Sequence, residues 1–264
     1  ILQAIGEIHG AVDVWRFAAG AARTMAGQAY DNLGERILAM VLRQPLGVVG
    51  VITPWNFPFF ILSERLPFIL AAGCTAVIKP AEATSGTTVM LATLLEQAGL
   101  PAGVVNVVTG RGSVAGQAIL DSELVDMVSF TGSTATGQKA IAASAGNIKK
   151  LGLELGGKNP HIVFANANLD DAADGVAFGM AFNAGQCCVG GSRLLVERSV
   201  AAAFTAKLAA KIARIRIGDP LDESTQVGAM FDEGHMHSVL AYIEQGVKAG
   251  DTLLLNDGLI VMTV

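Results

Sequence analysis

Two adjacent cysteines, Cys187 and Cys188, lie in a segment that suits a nucleophilic thiol, since residues 182–193 read FNAGQCCVGGSR. A cysteine attacks as the thiolate, and a free thiol titrates near about pH 8.5, so it needs backbone donors and an approach path. Glycines on both sides, Gly185 and Gly190, let other atoms come close. The structural alternative is a small apolar core residue, which is what a buried cysteine usually is. The segment therefore defines a candidate nucleophile, and motifs elsewhere in the chain must decide between this interpretation and a core residue.

The composition limits the kind of protein that presents this thiol. Apolar residues make up 52% of the 264 residues and charged residues 16%, with 31 glycines, which is typical of an α/β protein with buried parallel strands. The length suits one large domain or two ordinary ones. A net charge of −5 argues against nucleic-acid binding, and no apolar run is long enough to span a bilayer. The three cysteines form no disulfide framework, which favours a reducing, cytoplasmic compartment.

Strands and helices alternate along the sequence, which predicts a doubly wound parallel sheet. The predicted strands are residues 47–52, 75–78, 103–108, 127–130, 161–164 and 194–196. The predicted helices are residues 1–26 (one long helix or two), 61–72, a helix capped at Thr84 or Ser85 that runs to 98, a stretch ending at 120, 169–182, 200–215 and 233–249. Ligands of such a sheet gather at the carboxyl ends of its strands, where the loops at 53–58, 79–82, 109–112 and 131–137 follow. Residues 251–264 fit no predicted element.

Residues 27–45 differ in character from the helix before them and the sheet after them. Residues 31–34 have turn chemistry, and residues 37–42 are strand-like. This pattern predicts a β-ribbon that projects from the domain. Because exposed strand edges seek a partner, we expect the ribbon to contact another subunit.

Two glycine-rich stretches approach nucleotide-binding patterns without matching them. Gly110, Gly112 and Gly116 form a pattern one residue longer than the usual dinucleotide fingerprint. Residues 132–139 read GSTATGQK, one residue out of step with a phosphate-binding P-loop. Both stretches follow predicted strands and open helices, where a phosphate is favourable. Ordinary strand-to-helix turns fit equally well, so spacing leaves both interpretations open.

Two charged residues follow a predicted strand end, at Lys79 and Glu82. A carboxylate at this position can accept from both ribose hydroxyls of a dinucleotide, and it would repel a 2′-phosphate. Glu82 therefore favours NAD over NADP. The alternative is a surface ion pair, which contributes little.

His235 and His237 have the spacing of a possible metal-ligand pair. No third ligand cluster accompanies them in the sequence, and both lie on a predicted solvated helix, so we expect no metal site.

Five motifs then occur in a fixed order: TPWNFP at 53–58, IKPAE at 78–82, FTGS at 130–133, LELGGK at 153–158 and GQCC at 185–188. With this order and this interval from Glu154 to Cys188, the chain resembles the NAD(P)-dependent aldehyde dehydrogenase superfamily, from about residue 1 to about residue 250. The betaine-aldehyde, aminoaldehyde and semialdehyde branches are nearest. The resemblance implies an α/β fold in which a doubly wound parallel sheet binds NAD, beside a partial α/β catalytic domain and a protruding β-ribbon.

The resemblance implies three catalytic residues. The family's Gly-Gln-x-Cys pattern selects Cys188 over Cys187 as the nucleophile, which attacks an aldehyde to form a thiohemiacetal. The side-chain amide of Asn56 and the backbone N–H of Cys188 would hold the oxyanion. Hydride transfer to NAD leaves a thioester, and Glu154 would act as general base for its hydrolysis. The expected function is oxidation of an aldehyde to a carboxylic acid.

The resemblance also implies contacts to the cofactor and the aldehyde. Lys79 and Glu82 match the contacts to the adenosine ribose. Other cofactor contacts match at Ile52, Trp55, Gly112, Gly116, Phe130, Gly132, Ser133 and Leu155. The aldehyde tunnel matches at Phe57, Ile61 and Glu64.

Glu64 stands where an aromatic residue is common in the family. A carboxylate there would favour a cationic aminoaldehyde or trimethylammonium aldehyde. The alternative is an ion pair with Arg65 or with a neighbouring helix.

The resemblance divides the chain into three parts. Residues 1–26 and 46–157 would form the dinucleotide-binding domain, residues 27–45 the oligomerisation ribbon, and residues 158–264 a truncated catalytic domain. The expected partners are a small-molecule aldehyde and further copies of the chain, in a homodimer or homotetramer, with no nucleic acid and no membrane.

The chain also departs from the family, which continues beyond both of its ends. The chain begins with Ile rather than Met, it lacks the downstream Glu-x-Phe-Gly-Pro motif, and residues 251–264 do not align. We therefore expect an enzyme seen without its ends. The alternative from another class is a truncated, non-catalytic NAD-binding or interaction protein of the same fold. Glu154 argues against a CoA-dependent acylating relative, because a hydrolytic base would divert the thioester to acid.

Overall fold

The computed structural model describes residues 1–246, 252–255 and 260–263, and the chain falls into two compact units. The larger unit comprises Gln3–Gly156, and the smaller comprises Ile1–Leu2 with Gly157–Val264. Within the described ranges, no helix combines the length and the apolar character that a membrane crossing requires. Each unit has its own hydrophobic core.

A single long helix and a β-ribbon open the chain. Helix α1 (Leu2–Thr24) confirms the predicted helix, and it buries Ala11 and Ala18, which lie two turns apart on one face. Strands β1 (Gln28–Tyr30) and β2 (Ala39–Val41) then pair in antiparallel fashion. The predicted ribbon is therefore present.

Five parallel strands form the sheet of the larger unit: β3 (Val48–Ile52), β4 (Thr75–Lys79), β5 (Val105–Val107), β6 (Met127–Gly132) and β7 (Lys150–Leu155). Their order is β5-β4-β3-β6-β7, so the chain winds outward in both directions from the centre. The central strands are apolar and β-branched, as strands covered on both faces must be. The predicted doubly wound sheet is confirmed.

The edge strand β7 is an element that the sequence pattern did not predict. It pairs with β6 over six residues, yet Lys150 and Glu154 are exposed along it. Charged side chains are tolerated there because an edge strand faces solvent. Its carboxyl end lies beside that of β6, so it brings Glu154 into line with the other strand ends.

The helices of this unit connect the strands: α2 (Pro58–Ser63), α3 (Leu66–Ala71), α4 (Ser85–Gln97), α5 (Gln117–Asp121) and α6 (Thr134–Ser144). The single helix predicted over 61–72 is wrong, because it is divided between α2 and α3. Pro67 has no N–H to donate, and its ring would clash with the carbonyl of Ser63 in a continuous helix. The break places Glu64 and Arg65 at the junction.

The smaller unit has two parallel strands, β8 (Asn159–Val163) and β9 (Gly191–Val196). Its helices are α7 (Leu169–Ala181), α8 (Ala201–Ile212) and α9 (Glu233–Gly246). Phe204 of α8 is fully buried against residues of α7 and both strands. Strands β10 (Thr252–Leu255) and β11 (Ile260–Thr263) pair in antiparallel fashion where the sequence predicted no element. The last predicted helix extended to residue 249, and residues 247–249 lie outside the described residues.

Candidate active site

The cofactor contacts implied by the sequence gather at one edge of the five-stranded sheet. Ile52, Lys79, Gly132 and Leu155 are the last residues of β3, β4, β6 and β7. Because all five strands run parallel, their carboxyl ends share this edge, and the centre of the sheet is its switch point. This edge is therefore the candidate nucleotide site of the larger unit.

Lys79 and Glu82 both contact the glycine stretch that follows β5. Lys79 is buried, with 4% exposure, and its Nζ lies 3.9 Å from where a Cβ on Gly112 would be. The exposed Glu82 accepts a hydrogen bond at Oε1 from the backbone N–H of Gly112, at 2.9 Å. Gly112–Gly116 forms a single π-helical turn that continues into α5. The carboxylate is thus held by the glycine turn, which differs from the simple surface ion pair considered from sequence.

Glycine at the end of β6 permits a close approach of the Phe130 ring. A Cβ on Gly132 would lie 2.6 Å from that ring, so a larger residue there would have to displace it. The predicted loop at 131–137 is wrong, because β6 runs through Gly132 and α6 begins at Thr134. Ser133 is the N-cap, and its hydroxyl accepts from the N–H of Thr136 at 3.3 Å. That cap starts the helix immediately, which removes the loop that a P-loop would need.

Leu155 packs against the same helix. A Cβ on Gly137 would lie 2.7 Å from Leu155 Cδ2, so the second glycine of this stretch lets α6 approach the end of β7. Gly137 is buried, and its role is close packing of helix on sheet. The glycine spacing that suggested a P-loop is therefore explained by helix packing.

The loop that carries Trp55 and Asn56 follows the central strand. Both side chains are half-buried. Phe57, next along, has φ 49° and ψ 50°, a left-handed conformation that is uncommon for a residue with a Cβ and is disfavoured before proline. Such strained backbone persists where the surroundings hold it, and it is concentrated at functional sites. The predicted substrate contact Ile61 is buried, with 5% exposure, whereas Phe57 is half-buried.

Glu154 lies near a cation that the sequence analysis considered only as a partner of Glu64. Arg65 Nη2 is 3.9 Å from Glu154 Oε1, and Arg65 Nη1 is 4.0 Å from Glu64 Oε2. The Glu154 side chain is 65% exposed, so solvent can reach it. The helix break at Pro67 is the sequence feature that positions Arg65 between the two carboxylates. Glu64 thus lies beside Arg65, the residue that the ion-pair interpretation of Glu64 proposed as its partner.

The two cysteines lie in the smaller unit, after a strained turn. Asn183, Ala184 and Gly185 all have positive φ, at 51°, 56° and 76°. Asn183 and Gln186 close the turn reciprocally, because each side-chain amide donates to the backbone carbonyl of the other, at 3.1 and 3.0 Å. The Gln186 side-chain oxygen also accepts from the N–H of Phe231 at 2.9 Å. These hydrogen bonds fix the backbone immediately before Cys187 and Cys188.

The carbonyl of Cys188 is held by a residue that the sequence analysis did not single out. Asn159 Nδ2 donates to Cys188 O at 3.1 Å, and a Cβ on Gly157 would lie 3.3 Å from the same oxygen. The N–H of Gly190 donates to Cys187 O at 3.1 Å. Cys187 and Cys188 are both half-buried, and neither is in a disulfide. The pair is therefore held in a closed turn outside the core, which disagrees with the interpretation as core packing.

Among the described residues, no three His, Cys, Asp or Glu side chains form a group that could hold a metal ion. His237 Nε2 lies 3.5 Å from Glu233 Oε1, one turn earlier on α9. This is an exposed contact within one helix.

Comparison with known proteins gives the family. Residues 1–261 match the model of the aldehyde dehydrogenase family. Aldehyde dehydrogenase family 2 member C4 of Arabidopsis thaliana is 43% identical over 241 residues, which are 91% of this chain and 48% of that protein. The chain belongs to the aldehyde dehydrogenase family, as its motifs predicted.

Two solved structures have the same fold. A crystal structure of an NAD-dependent aldehyde dehydrogenase from Sinorhizobium meliloti has a TM-score of 0.92 and 51% identity, covering 96% of this chain and 50% of that one. Betaine aldehyde dehydrogenase from Staphylococcus aureus in complex with NAD+ has a TM-score of 0.90 and 33% identity, covering 95% of this chain and 50% of that one. The chain thus spans about half the length of the relatives that it matches.

Proposed function

We propose that the protein oxidises an aldehyde to a carboxylic acid with NAD, through covalent catalysis by Cys188. Two features, one in each unit, carry the proposal. The larger unit has a parallel sheet whose strand ends hold the implied cofactor residues, and the smaller unit has the family's cysteine turn. Membership of the family supports the same reaction. Asn56 and Glu154 complete the proposed chemistry.

The larger unit has the features that an NAD site needs. Gly132 at the strand end accommodates the Phe130 ring, and Ser133 caps a helix whose N-terminal N–H groups suit the pyrophosphate. Glu82, fixed by the Gly112 N–H, suits the adenosine ribose hydroxyls, and Lys79 lies buried beside the same turn. We infer that Ile52, Trp55, Gly112, Gly116, Phe130 and Leu155 line the remainder of the site. A carboxylate at 82 disfavours a 2′-phosphate, which supports NAD over NADP.

The proposed reaction is a sequence of bond changes at Cys188. The thiolate attacks the carbonyl carbon, and the C–S bond forms as the carbonyl becomes an oxyanion. The amide of Asn56 and the backbone N–H of Cys188 donate to that oxyanion. Bound NAD supplies the acceptor for the hydride, so the carbon is oxidised to the level of a thioester. Glu154 then removes a proton from water, and the water oxygen attacks the thioester carbonyl carbon. The new C–O bond replaces the C–S bond, so the carboxylic acid is released and Cys188 leaves as the thiolate.

The class of aldehyde depends on the residues near Glu64. We propose Phe57, Ile61 and Glu64 as substrate contacts. The proximity of Arg65 Nη1 to Glu64, at 4.0 Å, supports the structural alternative, in which the carboxylate is balanced by a cation. A cationic aldehyde would then gain little from Glu64. The Staphylococcus aureus relative is a betaine aldehyde dehydrogenase, and this supports including cationic aldehydes in any test.

We further propose a homo-oligomer in which the ribbon of residues 27–45 contacts another copy. Its apolar side chains are strongly exposed, at 66% for Leu38, 64% for Met40 and 71% for Leu42. Such a patch on a two-stranded ribbon favours burial in a subunit contact.

The domain roles of the two units follow the same proposal, with NAD bound by the larger and the thiol carried by the smaller. Three cysteines without a disulfide support a reducing, cytoplasmic location.

NADH formation by the purified protein tests the proposal. The panel contains neutral aliphatic, semialdehyde and trimethylammonium aldehydes, and NAD binding is measured in parallel. Turnover that disappears in Cys188→Ala while NAD still binds is the expected result. Bound NAD without turnover of any aldehyde would instead favour the non-catalytic alternative.

A further inference from the structure

The N-terminus of α2 is capped by a side chain from another helix. The half-buried Glu7 of α1 accepts at Oε1 from the backbone N–H of Phe59, at 2.7 Å, and of Phe60, at 2.9 Å. An N-cap Ser, Thr, Asp or Asn usually satisfies these N–H groups itself. Here the N-cap is Phe57, which has no side-chain acceptor, and Pro58 after it has no N–H. Glu7 therefore supplies the cap from about fifty residues away in sequence.

This cap lies directly after a strained stretch of backbone. Phe57 is left-handed, at φ 49°, and it directly follows Asn56 in the chain. The loop is anchored at its start by the N–H of Thr53, which donates to Lys79 O at 3.2 Å. Its other end is the start of α2, where Glu7 binds. Strained backbone persists only when its surroundings hold it, so both anchors matter to the loop.

Two further contacts fix the position of α1 along α2. Trp15 Nε1 donates to the fully buried Ser63 Oγ at 3.2 Å, at the far end of α2. A Cβ on Gly10 would lie 3.0 Å from the Phe60 ring, so glycine permits the close approach between them. Glu7, Gly10 and Trp15 all lie toward α2, and the carboxylate is therefore positioned by helix packing rather than by a flexible reach.

We propose that Glu7 is a positioning residue for the reaction, because its carboxylate fixes the start of α2 and so orients the Asn56 amide toward the oxyanion. The inference rests on the proposed function, in which Asn56 is the oxyanion donor. In the proposed mechanism, Glu7 contacts neither substrate nor cofactor, and it acts through the loop that carries Asn56.

The test compares side chains of similar length at position 7. Glu7→Gln keeps an oxygen that can accept both hydrogen bonds, whereas Glu7→Met removes it. We expect kcat/KM for the aldehyde to stay within about threefold in Glu7→Gln and to fall roughly 10- to 100-fold in Glu7→Met, since small misplacements of a catalytic group have large effects. The affinity for NAD should change less than kcat/KM, because Trp55 is the one proposed cofactor contact within this loop. Asp13→Met is the matched control, because Asp13 is an exposed acid on the same helix that pairs with the exposed Arg16 at 3.7 Å, and it should keep wild-type kcat/KM.

A double-mutant cycle separates positioning from general destabilisation. Asn56→Ala alone should lower kcat by roughly 100- to 1000-fold. If Glu7 acts through Asn56, adding Glu7→Met to Asn56→Ala should cause no further loss, whereas independent effects would multiply. Should Glu7→Met fail to bind NAD, Glu7→Asp replaces it in the cycle. That variant keeps the charge but withdraws the carboxylate by one methylene, and the same loss and the same non-additivity are expected.

Multiplicative losses in the cycle, or wild-type kcat/KM in Glu7→Met, would overturn the inference while leaving the proposed function intact. Absence of turnover in the wild type would instead remove the proposed function itself. The two failures are therefore distinguishable in one set of assays.

Discussion

The side-chain amide of Asn159 donates a hydrogen bond of 3.1 Å to the backbone carbonyl of Cys188. This contact joins the start of β8 to the turn that carries the proposed nucleophile, within one compact unit. Because the carbonyl belongs to the cysteine itself, the contact fixes the backbone from which the thiol projects.

Asn159→Ala should therefore lower kcat/KM for the aldehyde by about 2- to 10-fold, the effect expected from the loss of one neutral hydrogen bond. The rate at which iodoacetamide alkylates Cys188 should change in the same variant. Asn106→Ala is the matched control, because Asn106 Nδ2 also donates to a backbone carbonyl, that of Gly103 at 2.8 Å. Equal effects of the two changes would show that Asn159 has no special relation to the cysteine.

Gly132→Ala should weaken NAD binding by at least about tenfold, because a Cβ there would lie 2.6 Å from the Phe130 ring and must displace it from the proposed site. Overpacking of this kind also destabilises by about 1–3 kcal/mol. Titration with NAD and thermal unfolding measure the two effects. Gly86→Ala, in α4, has open space around the new Cβ and should leave NAD affinity unchanged. Normal NAD affinity in Gly132→Ala would argue that the cofactor binds elsewhere.

Glu82→Gln should raise the ratio of kcat/KM for NADP to that for NAD by roughly tenfold. The amide still accepts from the Gly112 N–H, so the turn is kept while the charge that repels a 2′-phosphate is removed. Steady-state kinetics with both cofactors gives the ratio. Glu96→Gln, an exposed change near the end of α4, should leave it unaltered. An unchanged ratio in Glu82→Gln would contradict the assignment of the adenosine ribose to this edge.

Lys207 and Asp170 link helices α8 and α7, with Nζ at 2.7 Å from Oδ1. The hydrogen bond from Lys207 and its charge hold the pKa of Asp170 below its usual 3.8. A lowered carboxyl pKa in the folded state contributes stability above the unfolded pKa, and that contribution is lost as pH falls through the folded pKa. Lys207→Met should therefore lower the thermal midpoint near neutral pH, and the difference should vanish in acid below the folded pKa. A difference that persists unchanged there would exclude this carboxylate as its source.

The sequence predicted the sheet of the larger unit because its strands are apolar and are separated by clear turn residues. It did not predict β7, since Lys150 and Glu154 interrupt the apolar pattern on an edge strand. It placed one helix over 61–72, although Pro67 contained the signal for a break. These errors share a physical cause, which is that local periodicity does not report where an element meets solvent or a neighbour.

The residues of the candidate site also fall into those that the sequence could predict and those that it could not. Cys188, Glu154 and Asn56 could be named because motifs are local in sequence. Glu7 and Asn159 could not be named from the sequence, because each forms hydrogen bonds with backbone atoms of a distant segment. Every residue has these backbone atoms, so such a contact requires no particular residue type in the partner segment. Arg65 was visible beside Glu64, but its approach to Glu154 depends on the fold.

The most direct test of the account asks which sulfur holds the acyl group. Glu154→Gln removes the proposed base for hydrolysis, so NAD and an aldehyde should give a burst of about one NADH per subunit and a trapped thioester. Fragmentation of the peptide over residues 182–193 by mass spectrometry should locate the acyl group on Cys188, with Cys187 unmodified. An acyl group on Cys187, or steady turnover at the wild-type rate in this variant, would contradict the account.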